Sequence, residues 1–387
     1  MVVHSYYPQA ETRVERQAMA LLERGIAVDI ICLQESHEVA VALVNGAQVY
    51  RLPVRRHRGS GLVVQLLEYL MFFILSFAYL TRLHLRKPYN VVQVHNLPDF
   101  LVFVALIPKL TGAKIIIDLH DLMPEFYAER FQRSIDSLPV RMIRLQEWIS
   151  CRFADHVITV SELWRQVLIE RGQPAAKVTV VMNVADDHIF YPNAATHTPD
   201  DSHFRLIYHG IMGERHGLDL ALRALNQVRQ IAPTIYLTLH GGGEYRQTLE
   251  NLVGELGLQD HVRFSTFRVP TTELPKLLMT ADLAVVPYRN GVFTGGIVPT
   301  KLMEYAALGI PAIAARTPGI AAYFDETTVQ FFTPGDVDEL ANCILTLYND
   351  RLRLAYLARN ISKFNEQFNW TRVRAGYITL VQRLGTR

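Results

Sequence analysis

Cysteine is scarce in this 387-residue chain: Cys32, Cys151 and Cys343 are the only three, each in apolar company and with no CxxC spacing. A disulfide framework and a cysteine-ligated zinc are therefore not expected; buried free thiols in a reducing compartment are. A charge excess of either sign is also lacking, the formal net charge being +2. That balance argues against nucleic acid or another bulk polyanion as partner. No charged start, apolar run and small-residue cleavage site opens the chain, so no secretory signal is visible and a cytoplasmic setting is expected. The chain begins inside a strand-like run, VVHSY, and residues upstream of it are expected. There is no His/Cys cluster at metal-ligand spacing, no P-loop and no GxSxG elbow. Asp336-Val337-Asp338 spells a metal-binding DxD, but it follows Pro334-Gly335 and has Glu339 three residues after Asp336. It reads as a helix capping box, and no metal is expected.

Half of the residues are hydrophobic and a fifth are charged, the balance of a globular protein with filled cores. Apolar runs of strand length alternate with helical periodicity almost throughout. VVHSY, AVDIICL, VVQVH, KIIIDLH and HVITVS read as strands in the first half. FRLIYHG, TIYLTLHG, HVRFSTF, LAVVPY, PAIAA and VQFFTP follow in the second. Continuous apolar strands with crossover helices imply parallel sheets covered on both faces. The polar stretch 191–202 divides them about midway. Two doubly wound α/β domains are expected, residues 1–190 and 203–365, facing across a cleft at the carboxyl ends of their strands, followed by a last helix in 366–387.

After LAVVPY comes a glycine-containing loop with Gly295 and Gly296, and then PTKLMEYAALGIP. Pro299 sits where its missing N–H costs nothing, and Gly309 with Pro311 stops the helix. The free amides of the first turn add partial positive charge to Lys301, a natural phosphate site. Glu304, one turn further in, can accept hydrogen bonds from the vicinal hydroxyls of a ribose. A surface helix behind a Gly-rich loop has the same pattern.

The stretch VPTKLMEYAALGIPAIAA resembles the nucleotide-binding helix of glycosyltransferase family 4, retaining enzymes of the GT-B fold, in a PxKxxEY form. The resemblance implies Rossmann-like domains and a nucleoside diphosphate sugar as donor substrate, with no separate cofactor. It also implies a saccharide or lipid-linked acceptor in polysaccharide or glycoconjugate synthesis. Glu304 would hold the ribose, and the backbone about Thr300 the diphosphate. A second Glu common in the family is Gly296 here. FRLIYHGIMGERHGL resembles the family's diphosphate-clamping loop after Gly210; Ile211 and His216 stand where Arg and Lys are usual, leaving Arg215 as the full-time cation. Gly241, in HGGG, lies near the nucleotide by the same resemblance, and Phe267 falls where the family contacts the base. His120, in KIIIDLHDLMPEFY, falls on a histidine that faces the cleft. His120, Arg215 and Lys301 are thus the candidate catalytic residues. Gly210, His216, Gly241, Phe267, Gly295, Gly296, Thr300 and Glu304 are the candidate donor-binding ones. The final helix in the family crosses back to the first domain. A non-catalytic scaffold of the same fold and a nucleotide-sugar epimerase are the competing functions.

Residues 62–80, LVVQLLEYLMFFILSFAYL, are broken only by Gln65, Glu68 and Ser76. As a helix they span about 28 Å at roughly 1.5 Å per residue, near the minimum for a bilayer. A crossover helix against the sheet, a helix lying on a membrane and a full span share this pattern. Between residues 51 and 87 there are seven Lys or Arg and one acid, Glu68. That bias implies contact with an anionic membrane surface and peripheral association with its inner face.

Overall fold

A computed structural model describes residues 1–8, 11–56, 61–191, 203–265 and 269–386. Two compact units are present: Met1–Asn183 with Val373–Arg387, and Val184–Arg372. Unit 1 carries β1 (Val2–Tyr6), β2 (Asp29–Leu33), β3 (Val41–Val44), β4 (Ala47–Leu52), β5 (Val91–His95), β6 (Lys114–Leu119), β7 (His156–Thr159) and β8 (Val178–Val180). They lie in the order β3-β4-β2-β1-β5-β6-β7-β8, parallel except that β3 runs against β4. Unit 2 carries β9 (Phe204–Ile211), β10 (Ile235–Gly242), β11 (Val262–Phe264), β12 (Leu283–Val286), β13 (Ala312–Ala315) and β14 (Gln330–Phe332). Their order is β11-β10-β9-β12-β13-β14, with every pairing parallel. Every residue of β7, β12 and β13 is buried, as strands covered on both faces must be. In each sheet the winding reverses once, at β1/β5 and at β9/β12. Ligands of open α/β sheets bind at the carboxyl ends of the strands beside such a reversal.

Five helices matter below: α1 (Thr12–Leu22), α2 (Leu62–Arg86), α3 (Leu138–Phe153), α4 (Thr300–Leu308) and α5 (Trp370–Gly385). In α2, Glu68, Phe72, Ser76, Leu80 and His84 are buried, one residue per turn. The Glu68 carboxylate is 3.2 Å from His4 Nε2 on β1. Burial pushes His4 down to about 4, with Arg56 adding to the shift, so the ring is neutral at pH 7 and the contact is not an ion pair there. The single acid of α2 therefore faces the sheet, and the helix is a crossover element whose outer side is apolar. By length and composition alone, 63–86 is also apolar enough to cross a membrane.

From residue 373 on, α5 belongs to unit 1, where the Tyr377 hydroxyl donates to Gln93 Oε1 at 2.7 Å. Asp336 caps its helix by accepting from the Glu339 N–H at 2.8 Å, while the Glu339 carboxylate reaches the Thr333 N–H at 2.7 Å. Both acids of that expected box are used at the helix start, the second on a residue further upstream than the box requires.

Candidate active site

In unit 2 the donor-binding candidates among the described residues lie on β9, β10 and the segments that follow β9 and β12, beside the β9/β12 reversal. Helix α4 starts after Pro299, at φ −66°, and no side chain caps its first turn. Gly309, at φ +70°, ends it. Thr300 is its first residue, and Lys301 projects from that turn back over the end of β9. The ammonium donates to the Tyr288 hydroxyl at 2.7 Å and sits 4.8 Å from the Tyr208 ring centre and 4.9 Å from that of Tyr288. Burial by itself would lower the lysine's affinity for its proton. The oxygens of Tyr288 and Tyr208 outweigh it and hold the charged form above the ordinary lysine range. Two aromatic faces and a hydroxyl thus keep a half-buried cation in place, with no carboxylate among the described residues to neutralise it.

Gly210 is what lets Lys301 lie there. Its φ is +114°, and a Cβ at that position would stand 3.2 Å from Lys301 Cε. Gly241, its partner across β10, has φ +129°, and a Cβ there would meet the Gly210 carbonyl at 2.1 Å. Gly295 is buried in the loop before α4, where a Cβ would strike Asn290 Oδ1 at 2.4 Å. The Gly296 backbone packs close to Gly319, where a Cβ would come within 2.7 Å of it.

Arg215 and His216 lie in the loop after β9. The Arg215 guanidinium stands 5.8 Å from the Phe293 ring centre, and its buried Nε has no partner among the described residues. His216 supplies no second cation. Its Nδ1 accepts from the Gly213 N–H at 3.1 Å, and burial, reinforced by Lys301 and Arg215, pushes it down to about 3. It shapes the loop with its ring against Tyr288, 5.0 Å between centres. Phe267 lies outside the described residues.

Glu304 is one turn into α4, and its carboxylate is 2.5 Å from His209 Nε2. The His209 Nδ1 is in turn 2.7 Å from the Tyr305 hydroxyl, which also accepts from the His209 backbone N–H at 3.1 Å. Burial keeps the Tyr305 phenol protonated. The His209 ring thus bridges the two α4 side chains, one nitrogen to the Tyr305 hydroxyl and the other to the Glu304 carboxylate. No spacing along the chain marks His209, Tyr208 or Tyr288 as members of the site; only Tyr305, adjacent to Glu304 in the EY pair, is visible in that way.

In unit 1, His120 follows β6. Its Nε2 is 3.0 Å from His95 Nδ1, and its backbone N–H donates to Asn96 Oδ1 at 2.8 Å. Behind the pair, the buried Asp118 carboxylate accepts from Arg13 Nε at 3.2 Å and Nη2 at 2.9 Å, and from Gln17 at 2.9 Å. Burial opposes its charge, but Arg13 and His120 hold the carboxyl well below the usual range. Burial pushes His95 down to about 4 against the pull of Asp118, so it is neutral at pH 7. His95, Asp118 and His120 offer three ligand atoms within 4.8 Å of one another, a His–Asp–His group that spacing along the chain does not reveal. The carboxylate is already shared by a guanidinium and amides, and the two imidazoles bond each other.

A separate cavity of about 590 Å³ opens at the amino ends of β1, β2 and β5, beside Met1, Asp29, Tyr89 and Val381. It is at the wrong end of the sheet for a ligand of this fold.

A glycosyl transferase 4-like domain model matches residues 10–183, and a glycosyl transferases group 1 model matches residues 203–350. A GDP-mannose-dependent alpha-(1-6)-phosphatidylinositol monomannoside mannosyltransferase of Mycolicibacterium smegmatis is 33% identical over 145 residues, covering 36% of this chain and 37% of that protein. The amylovoran biosynthesis glycosyltransferase AmsK of Erwinia amylovora is 27% identical over 197 residues, 49% of this chain and 47% of its own. The chain thus matches about half or less of the length of these two relatives. Among solved structures, the sucrose-phosphate synthase of Thermosynechococcus elongatus superposes with a TM-score of 0.79 at 21% identity, over 99% of this chain and 98% of that one. Anabaena HepE in complex with UDP-glucose gives 0.73 at 18% identity, over 99% and 98%. At such identities the likeness is one of fold. With each unit matched by a glycosyltransferase domain and the whole chain matched by GT-B structures, the chain belongs to the GT-B glycosyltransferases of family 4.

Proposed function

We propose that the chain transfers a sugar from a nucleoside diphosphate sugar to a saccharide or lipid-linked acceptor, with retention of anomeric configuration and without a metal ion. The observation that carries this reading is Lys301, a cation with no carboxylate partner among the described residues, at the uncapped start of α4 and above the glycine at the end of β9. As the glycosidic bond breaks, charge develops on the leaving diphosphate. Lys301, the α4 amides and Arg215 stabilise it where it forms. Exchanging the Tyr288 hydroxyl for a phosphate oxygen frees the ammonium for that task. Glu304, braced by His209 through one oxygen, accepts ribose hydroxyls with the other. His120, backed by His95 and Asp118, hydrogen-bonds the donor sugar. The PxKxxEY form, with Gly296 where a sugar-contacting Glu is common, leaves the sugar to be read by other groups.

The acceptor reading follows from α2, whose outer side is apolar between basic flanks. Peripheral contact with an anionic inner membrane surface through residues 51–87 brings the enzyme to lipid-linked saccharides. Part of the basic flank, residues 57–60, lies outside the described residues. Thermal-shift screening against nucleotide sugars, then transfer to a lipid extract with the product anomer read by NMR, tests the proposal. Retention in a new glycoside supports it; an inverted product ends the retaining part, and an epimerised donor without transfer replaces it with the epimerase reading.

A further inference from the structure

Helix α3 is built inside out. Its inner side buries Val140, Glu147, Ser150 and Cys151, and Glu147 is paired with Arg171 at 2.9 Å. Its outer side shows water a stripe at helical spacing: Leu138 is 70% exposed, Met142 64%, Leu145 57% and Ile149 43%, with Trp148 beside them at 40%. Arg141 and Arg152 are exposed and Arg144 half-buried, and the Arg152 guanidinium lies 5.6 Å from the Trp148 ring centre. The only acid of α3 is the buried Glu147, as the only acid of α2 is the buried Glu68. Neither helix turns a carboxylate outward.

The two helices share one face of the unit 1 sheet. Both pack against the 3-10 turn Asp99–Ala105. The β4-to-β5 and β6-to-β7 connections also run the same way along the sheet, so right-handed crossovers put α2 and α3 on the same side. The α2 stripe on that side includes Val63, Leu67, Leu70 and Ile74.

We propose that α3 is a second membrane-contacting helix, its apolar stripe entering the interfacial layer of an anionic bilayer while the exposed Arg141 and Arg152 meet the headgroups. Charge selects this occupant. A second copy docked on a two-fold axis would set the same arginine rows against each other. The inference extends the membrane contact proposed for residues 51–87 and is separable from it, and from glycosyl transfer.

Tryptophan fluorescence reads the helix directly. Of the three tryptophans, Trp164 is 4% exposed and Trp370 6%, so Trp148 alone reports on an outer surface. The intact protein is mixed with phosphatidylcholine vesicles, with and without phosphatidylglycerol, and then with brominated lipids of the same headgroups. Expected are flotation with the anionic vesicles, quenching by bromine, and loss of that quenching in Trp148→Phe although flotation persists. Met142→Asp with Leu145→Asp, both at exposed positions, should weaken vesicle binding by about tenfold or more, with the melting temperature kept. Flotation without quenching would confine the contact to α2 and overturn the inference. Absence of flotation overturns both it and the membrane contact of 51–87, leaving glycosyl transfer to its own assay. A dimer in light scattering that the double variant dissolves makes the face an interface between copies, which also overturns it.

Discussion

The Nε2 of His209 on β9 lies 2.5 Å from the carboxylate of Glu304 on α4, and the Tyr305 hydroxyl stands 2.7 Å from the far ring nitrogen. A strand and a helix distant in sequence are thereby locked at the atom expected to hold ribose.

His209→Ala should weaken nucleoside diphosphate binding by roughly tenfold to a hundredfold, the range for losing a hydrogen bond to a charged group. An analogue lacking a ribose hydroxyl should lose much less, and His209→Gln, whose amide can still donate, should recover part of the affinity. Calorimetry with the ribose and deoxyribose forms distinguishes this from collapse of the site, which would weaken both alike.

Gly210→Ala should cost about 1–3 kcal/mol through its left-handed backbone and also impair donor binding, because its Cβ would stand 3.2 Å from Lys301 Cε. Gly25→Ala is the control. Its φ is +73° with nothing within 4 Å of the added carbon, so stability falls while donor binding stays. Equal donor affinity in the two variants would argue that Gly210 makes no room for Lys301.

Asp99 ties stability to pH. Burial, opposed by Asn96 and aided by Asp121, raises its carboxyl to about 7 from the ordinary aspartate value of 3.8. Its Oδ1 accepts from Asn96 at 2.9 Å, while Oδ2 has no partner among the described residues. A raised carboxyl contributes stability that is complete below the unfolded value near 3.8 and lost as pH rises through about 7. Asp99→Asn, which cannot ionise, should match the wild type near pH 4. Near pH 8 it should exceed the wild type by a few kcal/mol, at about 1.4 kcal/mol for each tenfold change in proton affinity. Urea melts of the unit 1 signal at both pH values check the sign.

How much of this is legible in the sequence depends on how far apart the partners lie. VVQVH is β5 residue for residue, because three valines in five residues mark a strand covered on both faces even with Gln93 and His95 among them. The hairpin β3–β4 is not legible in that way: β3 is the short apolar run VALV, yet at the sheet edge its residues alternate between exposed and half-buried, so apolarity there does not report burial. Lys301 and Glu304 share one helix, so their three-residue spacing is readable. His209 and Tyr208 reach them only through the order of strands in the sheet, and Tyr288 only through the loop before α4. His95, Asp118 and His120 likewise meet because β5 pairs with β6 in register, His95 opposite Asp118. The outward stripe of α3 is a pattern the sequence contains, but periodicity does not say which side of a helix faces the sheet.

Single-turnover transfer from a labelled nucleoside diphosphate sugar to a lipid extract, by the wild-type chain and by Lys301→Ala, isolates the role of the lysine. Transfer by the wild type is expected, with a loss of about a hundredfold to a thousandfold in the variant, the scale of removing one charge-stabilising donor, and with the melting temperature retained. Near-normal transfer by the variant would contradict the assignment of Lys301 to the leaving diphosphate.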